Sequence, residues 1–190
     1  MYFIQVEKLS DLECQNDWVG CISLLNAKVN QNPGNSQLLC RLIAECWLIL
    51  SDWDTLPNAE SVDYSATKSV LIAATKYGIH HFADDVNFLW ETGYMMNLFP
   101  YLFYNDNEGD LFSEFEQYGT KMLKKAHELN SSDQIVELLA MGFGNDYNAY
   151  CEAKGKIQHL IPLYFSEETA IERYFRGCLE DKGTVSVNPK

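Results

Sequence analysis

Apolar residues recur at spacings of three and four along most of the chain, which is the periodicity of an amphipathic α-helix. The clearest stripe joins Ile171, Tyr174, Phe175, Cys178 and Leu179. A second apolar face extends over residues 110–130, and a third helix is predicted over residues 17–30. No two segments alternate between apolar and polar residues well enough to pair as strands. The pattern therefore predicts an all-α fold.

Residues 37–50 predict a helix that is apolar around most of its circumference. Only Gln37, Arg41 and Glu45 interrupt the apolar surface of this stretch. A helix of this kind must be covered on most sides. We therefore expect it at the centre of the fold, with Leu42 and Ile43 in the core.

Weaker helical patterns bring the expected total to seven to nine helices. They cover residues 64–78, 80–96, 132–142 and 145–160, with prolines and glycines between them. The last helix is expected to begin at a Ser166 cap and to stop at Gly183, and residues 1–6 are expected to be extended or to lead into a helix. This organisation predicts a single domain over residues 1–183 and a loose tail over residues 184–190.

Two junctions between predicted helices are alike. Residues 32–36 read Asn-Pro-Gly-Asn-Ser and residues 130–134 read Asn-Ser-Ser-Asp-Gln, and each is followed by a Leu-Leu pair and a small residue, Ala44 or Ala140. This pattern resembles the turn between tetratricopeptide-type repeats, over about two half-repeats. The resemblance implies an irregular stack of helical hairpins that is repeat-like in part. In the second junction, Ser131 and Gln134 fit a capping box.

The composition limits the number of domains, the compartment and the classes of ligand. A chain of 190 residues that is 47% apolar has enough material for one core. Its 27 acidic and 14 basic residues give a net charge of −13, which argues against a protein that grips nucleic acid through phosphate contacts. The six cysteines include no CxxC pair, so we expect reduced thiols in a cytoplasmic protein. We expect neither secretion nor membrane insertion, because no stretch has the required apolar pattern.

The negative charge is concentrated in one part of the chain, residues 77–120, which we call the acidic aromatic segment. It contains no Lys or Arg, but it holds eight acidic residues and twelve aromatic residues. Carboxylates attract cationic side chains, and aromatic rings supply contact area at little cost in entropy. The segment is therefore typical of a surface that receives a basic protein. The predicted contacts are Asp84, Asp85, Trp90, Glu91, Tyr101, Tyr104, Asp106, Glu108, Asp110, Glu114 and Glu116.

In size, charge and the composition of residues 84–118, the chain resembles the immunity proteins of bacterial toxin systems. Those proteins are small, acidic and non-catalytic, and they cover the active site of a nuclease domain that is usually basic. The resemblance implies an inhibitor whose partner is a toxin nuclease, with no cofactor, no nucleic-acid ligand and no membrane contact. The contacts expected first are Asp106, Glu108 and Asp110, with Trp90, Tyr101 and Tyr104 as anchors if they are exposed.

Other interpretations stay open at this point. His80, His81, Asp84 and Asp85 form an HHxxDD cluster in which each histidine precedes an aspartate by one helical turn, as a helical metal-dependent hydrolase would require. A repeat-type adaptor that binds an extended peptide is a second alternative. The acidic aromatic segment could also be a solvated surface without a partner. No GxSxG, GxxxxGK[ST] or GxGxxG motif is present, so neither a serine hydrolase nor a nucleotide site is predicted.

Overall fold

The computed structural model describes residues 3–144, 146–166 and 168–180, and within these residues the chain is helical, with no strand. Ten α-helices are formed there: α1 (Leu9–Cys14), α2 (Trp18–Gln31), α3 (Ser36–Ser51), α4 (Tyr64–His81), α5 (Val86–Leu98), α6 (Phe112–Leu129), α7 (Gln134–Gly142), α8 (Tyr147–Ile157), α9 (Ile161–Tyr164) and α10 (Ala170–Leu179). Short 3-10 helices lie at Ala59–Ser61, Pro100–Leu102 and Asp106–Glu108. The all-α prediction is confirmed. The count exceeds the predicted seven to nine because α1 and α9 are too short to show a period in the sequence.

Most helices begin at an Asp or Asn whose side chain accepts a hydrogen bond from a backbone N–H of the first turn. The residues that cap in this way are Asp17, Asn35, Asp63, Asp85, Asp133 and Asp146. Two predicted caps are wrong. Asp133 caps α7 in place of the Ser131 and Gln134 box, because its carboxylate reaches two N–H groups, and Thr169 begins α10 in place of Ser166, in a capping box with Glu172. The predicted stop at Gly183 and the tail lie outside the described residues.

Three helical hairpins use the same four-residue turn. It joins α2 to α3 at residues 32–35, α4 to α5 at residues 82–85 and α6 to α7 at residues 130–133. In each turn the fourth residue donates its N–H to the carbonyl of the first, at 3.0, 3.0 and 3.2 Å respectively, and its side chain then caps the following helix. The first residue of α3 also contacts the second turn, since the Ser36 hydroxyl donates to Asp85 at 2.7 Å.

Helix α3 forms the centre of the molecule, as predicted. All residues from Leu38 to Leu50 are buried, and the helix packs against α2, α4, α5 and α10. Leu42 and Ile43 lie in the core. The central position also buries Arg41 and Glu45, which the sequence pattern placed on a polar stripe, so both charges need partners inside the protein.

The buried charges form a network that joins distant parts of the chain. The Arg41 guanidinium donates to Glu13 of α1 and lies 3.1 Å from a carboxylate oxygen of Glu45. The other oxygen of Glu13 accepts the N–H of Ala170, the first residue of α10, at 2.5 Å. Burial raises the pKa of Glu45 to about 7, although the guanidinium of Arg41 opposes the shift. This network fixes α1 and α10 against α3.

Helices α5 and α6 approach more closely than ordinary side chains allow. A methyl group added at Gly119 would lie 2.7 Å from the carbonyl oxygen of Gly93 and 2.8 Å from the backbone N of Asn97. The two helices therefore meet backbone to backbone, and α6 covers one side of α5. None of the helices in the described residues combines the length and the apolar character that a membrane crossing needs.

Candidate functional site

The acidic aromatic segment is divided by the fold into a buried part and an exposed part. Helix α5 is buried from Phe88 to Asn97, so Trp90 and Glu91 are 0% and 1% exposed. Tyr104 is 8% exposed and packs against Phe115 of α6, with ring centroids 5.4 Å apart. The expectation that Trp90, Glu91 and Tyr104 contact a partner at the surface is therefore corrected, because packing against α3 and α6 covers α5 and the loop behind it.

The exposed part is the loop after α5 together with the first half of α6. It carries the remaining predicted contacts of this region, which are Tyr101, Asp106, Glu108, Asp110, Glu114 and Glu116. Two of these acids are held by the backbone of the loop. Asn105 donates its N–H to Glu108 at 2.9 Å, which lowers the pKa of that carboxyl, and Asp110 accepts the N–H of Phe112 at 3.1 Å.

Lysines from other elements neutralise part of the segment. Lys68 of α4 lies 2.6 Å from Asp106, Lys76 lies 3.9 Å from Glu108, and Lys125 of α6 lies 2.6 Å from Asp84. A segment free of bases in the sequence thus folds beside helices that carry them, so Asp84, Asp106 and Glu108 each have a lysine nearby.

The residues of the HHxxDD cluster are engaged in other contacts. His81 stacks on Tyr77, with ring centroids 4.1 Å apart. Asp84 pairs with Lys125, and Asp85 both caps α5 and accepts the hydroxyl of Ser36. Among the residues that the structure describes, no group of three or more His, Cys, Asp and Glu side chains is arranged to hold a metal ion.

A recess of about 400 Å³ lies where α3 ends and α4 begins. We call it the α3–α4 recess. Its lining consists of Leu50, Ser51, Asp52, Trp53, Asp54, Thr55, Tyr64 and Tyr101. Of these residues, only Tyr101 belongs to the acidic aromatic segment and was predicted as a contact.

Aromatic rings form the wall of the α3–α4 recess. Trp53 and Tyr64 meet at nearly a right angle, with centroids 5.2 Å apart. Tyr101, which is 40% exposed, packs edge-on against Phe99, and Phe99 in turn packs against the buried Trp47. The rings are thus anchored in the core and present only part of their surface to the solvent.

The same recess is negative. Asp52 and Asp54 form no ion pair with any described residue, in contrast to Asp106 and Glu108. Burial raises the pKa of Asp52, and burial together with Tyr101 and the charge of Asp106 raises that of Tyr64. The carboxylate of Asp106 is therefore close enough to act on the recess, which makes the loop of residues 105–110 its neighbour.

The end of α3 adds to this negative potential. The Asp52 N–H bonds to the carbonyl of Leu48, but the carbonyls of Leu50 and Ser51 receive no backbone N–H from the described chain. No basic residue lies in the last turn of α3. The C-terminus of a helix carries a partial negative charge, and cations are favourable there. The recess thus combines two carboxylates, a helix C-terminus and three aromatic rings.

The recess residues that were not predicted as contacts come from a second segment without basic residues. Residues 42–67 contain no Lys or Arg, but they include Asp52, Asp54, Glu60 and Asp63. The charge pattern of this stretch, together with Trp53 and Tyr64, was the available signal. The fold brings it against the acidic aromatic segment at Tyr101.

Comparison with known proteins adds no further residue to the site. No protein-family model, no curated protein and no solved structure matches this chain. Function is therefore inferred from the geometry of the described residues.

Proposed function

We propose that this protein is a non-catalytic acidic binding protein that docks and neutralises a basic protein in the cytoplasm, in the manner of an immunity protein that blocks a toxin nuclease. The observation that carries the proposal is the α3–α4 recess, where two base-free segments meet. Asp52 and Asp54 supply carboxylates without a cationic partner among the described residues, and Trp53, Tyr64 and Tyr101 supply anchored aromatic surface.

The docking face consists of this recess and the neighbouring acidic loop. Exposed carboxylates such as Asp54 and Asp110 raise the rate of encounter with a positive surface, and this contribution weakens as salt rises. The aromatic rings act after encounter, because half-buried rings lose little conformational freedom on binding and slow the dissociation of the complex. Tyr101 stays in this face, whereas Tyr104 is replaced as an anchor by Trp53 and Tyr64.

The hairpin architecture supports a second candidate function, a repeat-type adaptor for an extended peptide. The three shared turns agree with an irregular hairpin stack that is repeat-like in part. A groove of about 470 Å³ lies between α2 and α4, with Val29, Leu39 and Val70 among its apolar lining residues. The peptide would lie in this groove rather than in the recess, so substitutions at the two places distinguish the functions.

Affinity capture from the native source tests the main proposal. The immobilised protein is expected to retain a basic protein at low salt and to release it as salt is raised. The released protein is then assayed for its own activity with and without an excess of this chain, and we expect that activity to be lost in the mixture. A captured protein that is not basic, or one whose activity is unchanged, would contradict the proposal.

Charge reversal locates the docking face. Asp54→Lys is expected to slow association with the captured partner and to flatten its salt dependence. The matched control is Glu128→Lys, an equal charge change at an exposed position near the end of α6, and its association rate should stay close to that of the unchanged protein. If Asp54→Lys and Glu128→Lys associate with the partner at equal rates, the recess is not part of the docking face. Loss of binding in Val70→Glu alone would favour the peptide adaptor.

A further inference from the structure

We propose that the α3–α4 recess is the pocket for one arginine side chain of the partner, with the guanidinium group against the rings and facing Asp52 and Asp54. This inference rests on the proposed function, since it names the group that the docking face recognises. It assigns the recess a ligand chemistry, an organic cation of the guanidinium type, rather than a general negative potential.

The charges of the recess favour a cation inside it and not merely near it. Asp52 is partly buried, and burial raises the pKa of its carboxyl because no cation among the described residues compensates the lost hydration. Leu50 and Ser51 line the same space at the negative end of α3, and their carbonyls receive no backbone N–H from the described residues. No Lys or Arg belongs to the lining. A bound cation would supply what both the carboxylates and the carbonyls lack.

The neighbouring acids serve as an internal comparison. Asp106 accepts Lys68 at 2.6 Å and Glu108 lies 3.9 Å from Lys76, so cations of this chain already engage them. Asp52 and Asp54 line the recess and have no such partner among the described residues. The acids at the recess are therefore the ones left for a cation from another molecule.

The shape of the recess selects arginine over lysine. Trp53 and Tyr64 stand almost perpendicular, so a flat group can lie on one ring and meet the edge of the other. A guanidinium group is planar, stacks on aromatic faces and offers a fork of N–H donors to carboxylates, whereas an ammonium group is compact and more strongly hydrated. A space of about 400 Å³ also accommodates the long arginine side chain.

A titration with small probes tests the pocket directly. The probes are N-acetyl-arginine amide, N-acetyl-lysine amide and the neutral isostere N-acetyl-citrulline amide. The readout is the indole N–H signal of Trp53 in a two-dimensional NMR spectrum, with Trp18, Trp47 and Trp90 as buried internal references. The arginine probe is expected to move the Trp53 signal saturably, the lysine probe less, and the citrulline probe not at all. An equal response to arginine and citrulline would overturn the proposal.

Variants tie the response to the carboxylates. Asp54 is exposed, so Asp54→Asn should leave folding intact. We expect it to weaken the binding of the arginine probe about fivefold. Asp52→Asn combined with Asp54→Asn should abolish the saturable shift. Glu128→Gln is the control, because it removes an exposed acid near the end of α6, outside the docking face, and it should leave the titration unchanged. If the double variant gives the same saturable Trp53 shift as the unchanged protein, the proposed pocket is also wrong.

Failure of the pocket and failure of the proposed function give different results. If a basic partner is captured and neutralised but the arginine probe leaves Trp53 unmoved, the docking function stands and the pocket is wrong. If the probe binds as expected and no basic partner is neutralised, the pocket stands and the proposed function is wrong. A full confirmation requires in addition that one arginine of the captured partner, when changed to lysine, weakens the complex by at least as much as Asp54→Asn does.

Discussion

The carboxyl group of Glu45 is buried and shares the guanidinium group of Arg41 with Glu13. Its pKa rises from an ordinary value of 4.5 to about 7, because burial disfavours the charged form more than Arg41 stabilises it, and the charge of Glu13 adds to the shift. Between these two pH values the folded protein holds a proton that the unfolded chain has released. The stabilisation from this group is present below about pH 4.5 and is lost as the pH rises through 7.

We expect Glu45→Gln to remove this pH dependence. The variant mimics the protonated carboxyl, so its free energy of unfolding should lack a fall of about 3 kcal/mol between pH 5 and pH 8 that the unchanged protein shows. Urea unfolding at both pH values measures the difference. Glu114→Gln, an exposed substitution on α6, is the control and should retain the fall. Parallel pH profiles for Glu45→Gln and the unchanged protein would contradict the assignment.

The contact between α5 and α6 depends on two positions without side chains. Gly119→Ala is expected to lower the free energy of unfolding by about 1–3 kcal/mol, because the new methyl group meets the backbone of Gly93 and Asn97, which cannot move without separating the helices. Thermal unfolding of the variant measures the loss.

Replacing a glycine that has free space around it should change the free energy of unfolding in the opposite direction. Gly155 of α8 has no atom within 4 Å of the position of an added methyl group. Gly155→Ala should therefore stabilise the protein by up to about 1 kcal/mol, as expected from helix propensity alone. If Gly119→Ala causes no loss of stability relative to this control, the close approach of α5 and α6 is refuted.

The sequence predicts the long helices well and the short ones poorly. Helices α2, α3 and α6 each bury a stripe or a whole surface, so their apolar period is visible over many residues. Helices α1 and α9 have 6 and 4 residues, which is too few to establish a period. The turn at residues 82–85 has no such signal in the sequence, because it shares the hydrogen bonds of the other two turns but not the Asn at their first position.

On the scale of the whole molecule, Phe175 of α10 links both ends of the described chain. Its ring lies 5.0–5.6 Å from those of Phe3, Trp90, Tyr94, Phe165 and Tyr174. Phe175→Ala should lower the free energy of unfolding by about 3–5 kcal/mol, since it opens a cavity where several elements meet. Circular dichroism and tryptophan fluorescence should report one common transition. Phe112→Ala, at a ring 41% exposed, should cost far less, and two separate transitions would contradict a single core.

The candidate site could be predicted from the sequence only in part, because it is made by contacts between distant segments. The distribution of charge along the sequence indicated an acidic surface. The contacts predicted from it include Tyr101, Asp106 and Asp110. It could not show that Lys68 and Lys76 reach the acidic loop, nor that Trp90 packs against Phe3 and Phe175 in the core. The α3–α4 recess exists only because the end of α3 folds against Tyr101, which lies 50 residues away from Ser51 in the chain.

The hydrogen bond between Glu13 and Ala170 has a consequence for the time course of synthesis. These residues are separated by 157 positions. At about 5–20 residues per second, a ribosome makes the second one roughly 10–30 s after the first. For that interval the nascent chain carries Glu13 and Phe3 without their α10 partners. The packing of α10 against these residues must therefore wait until α10 emerges, however early the central hairpins form.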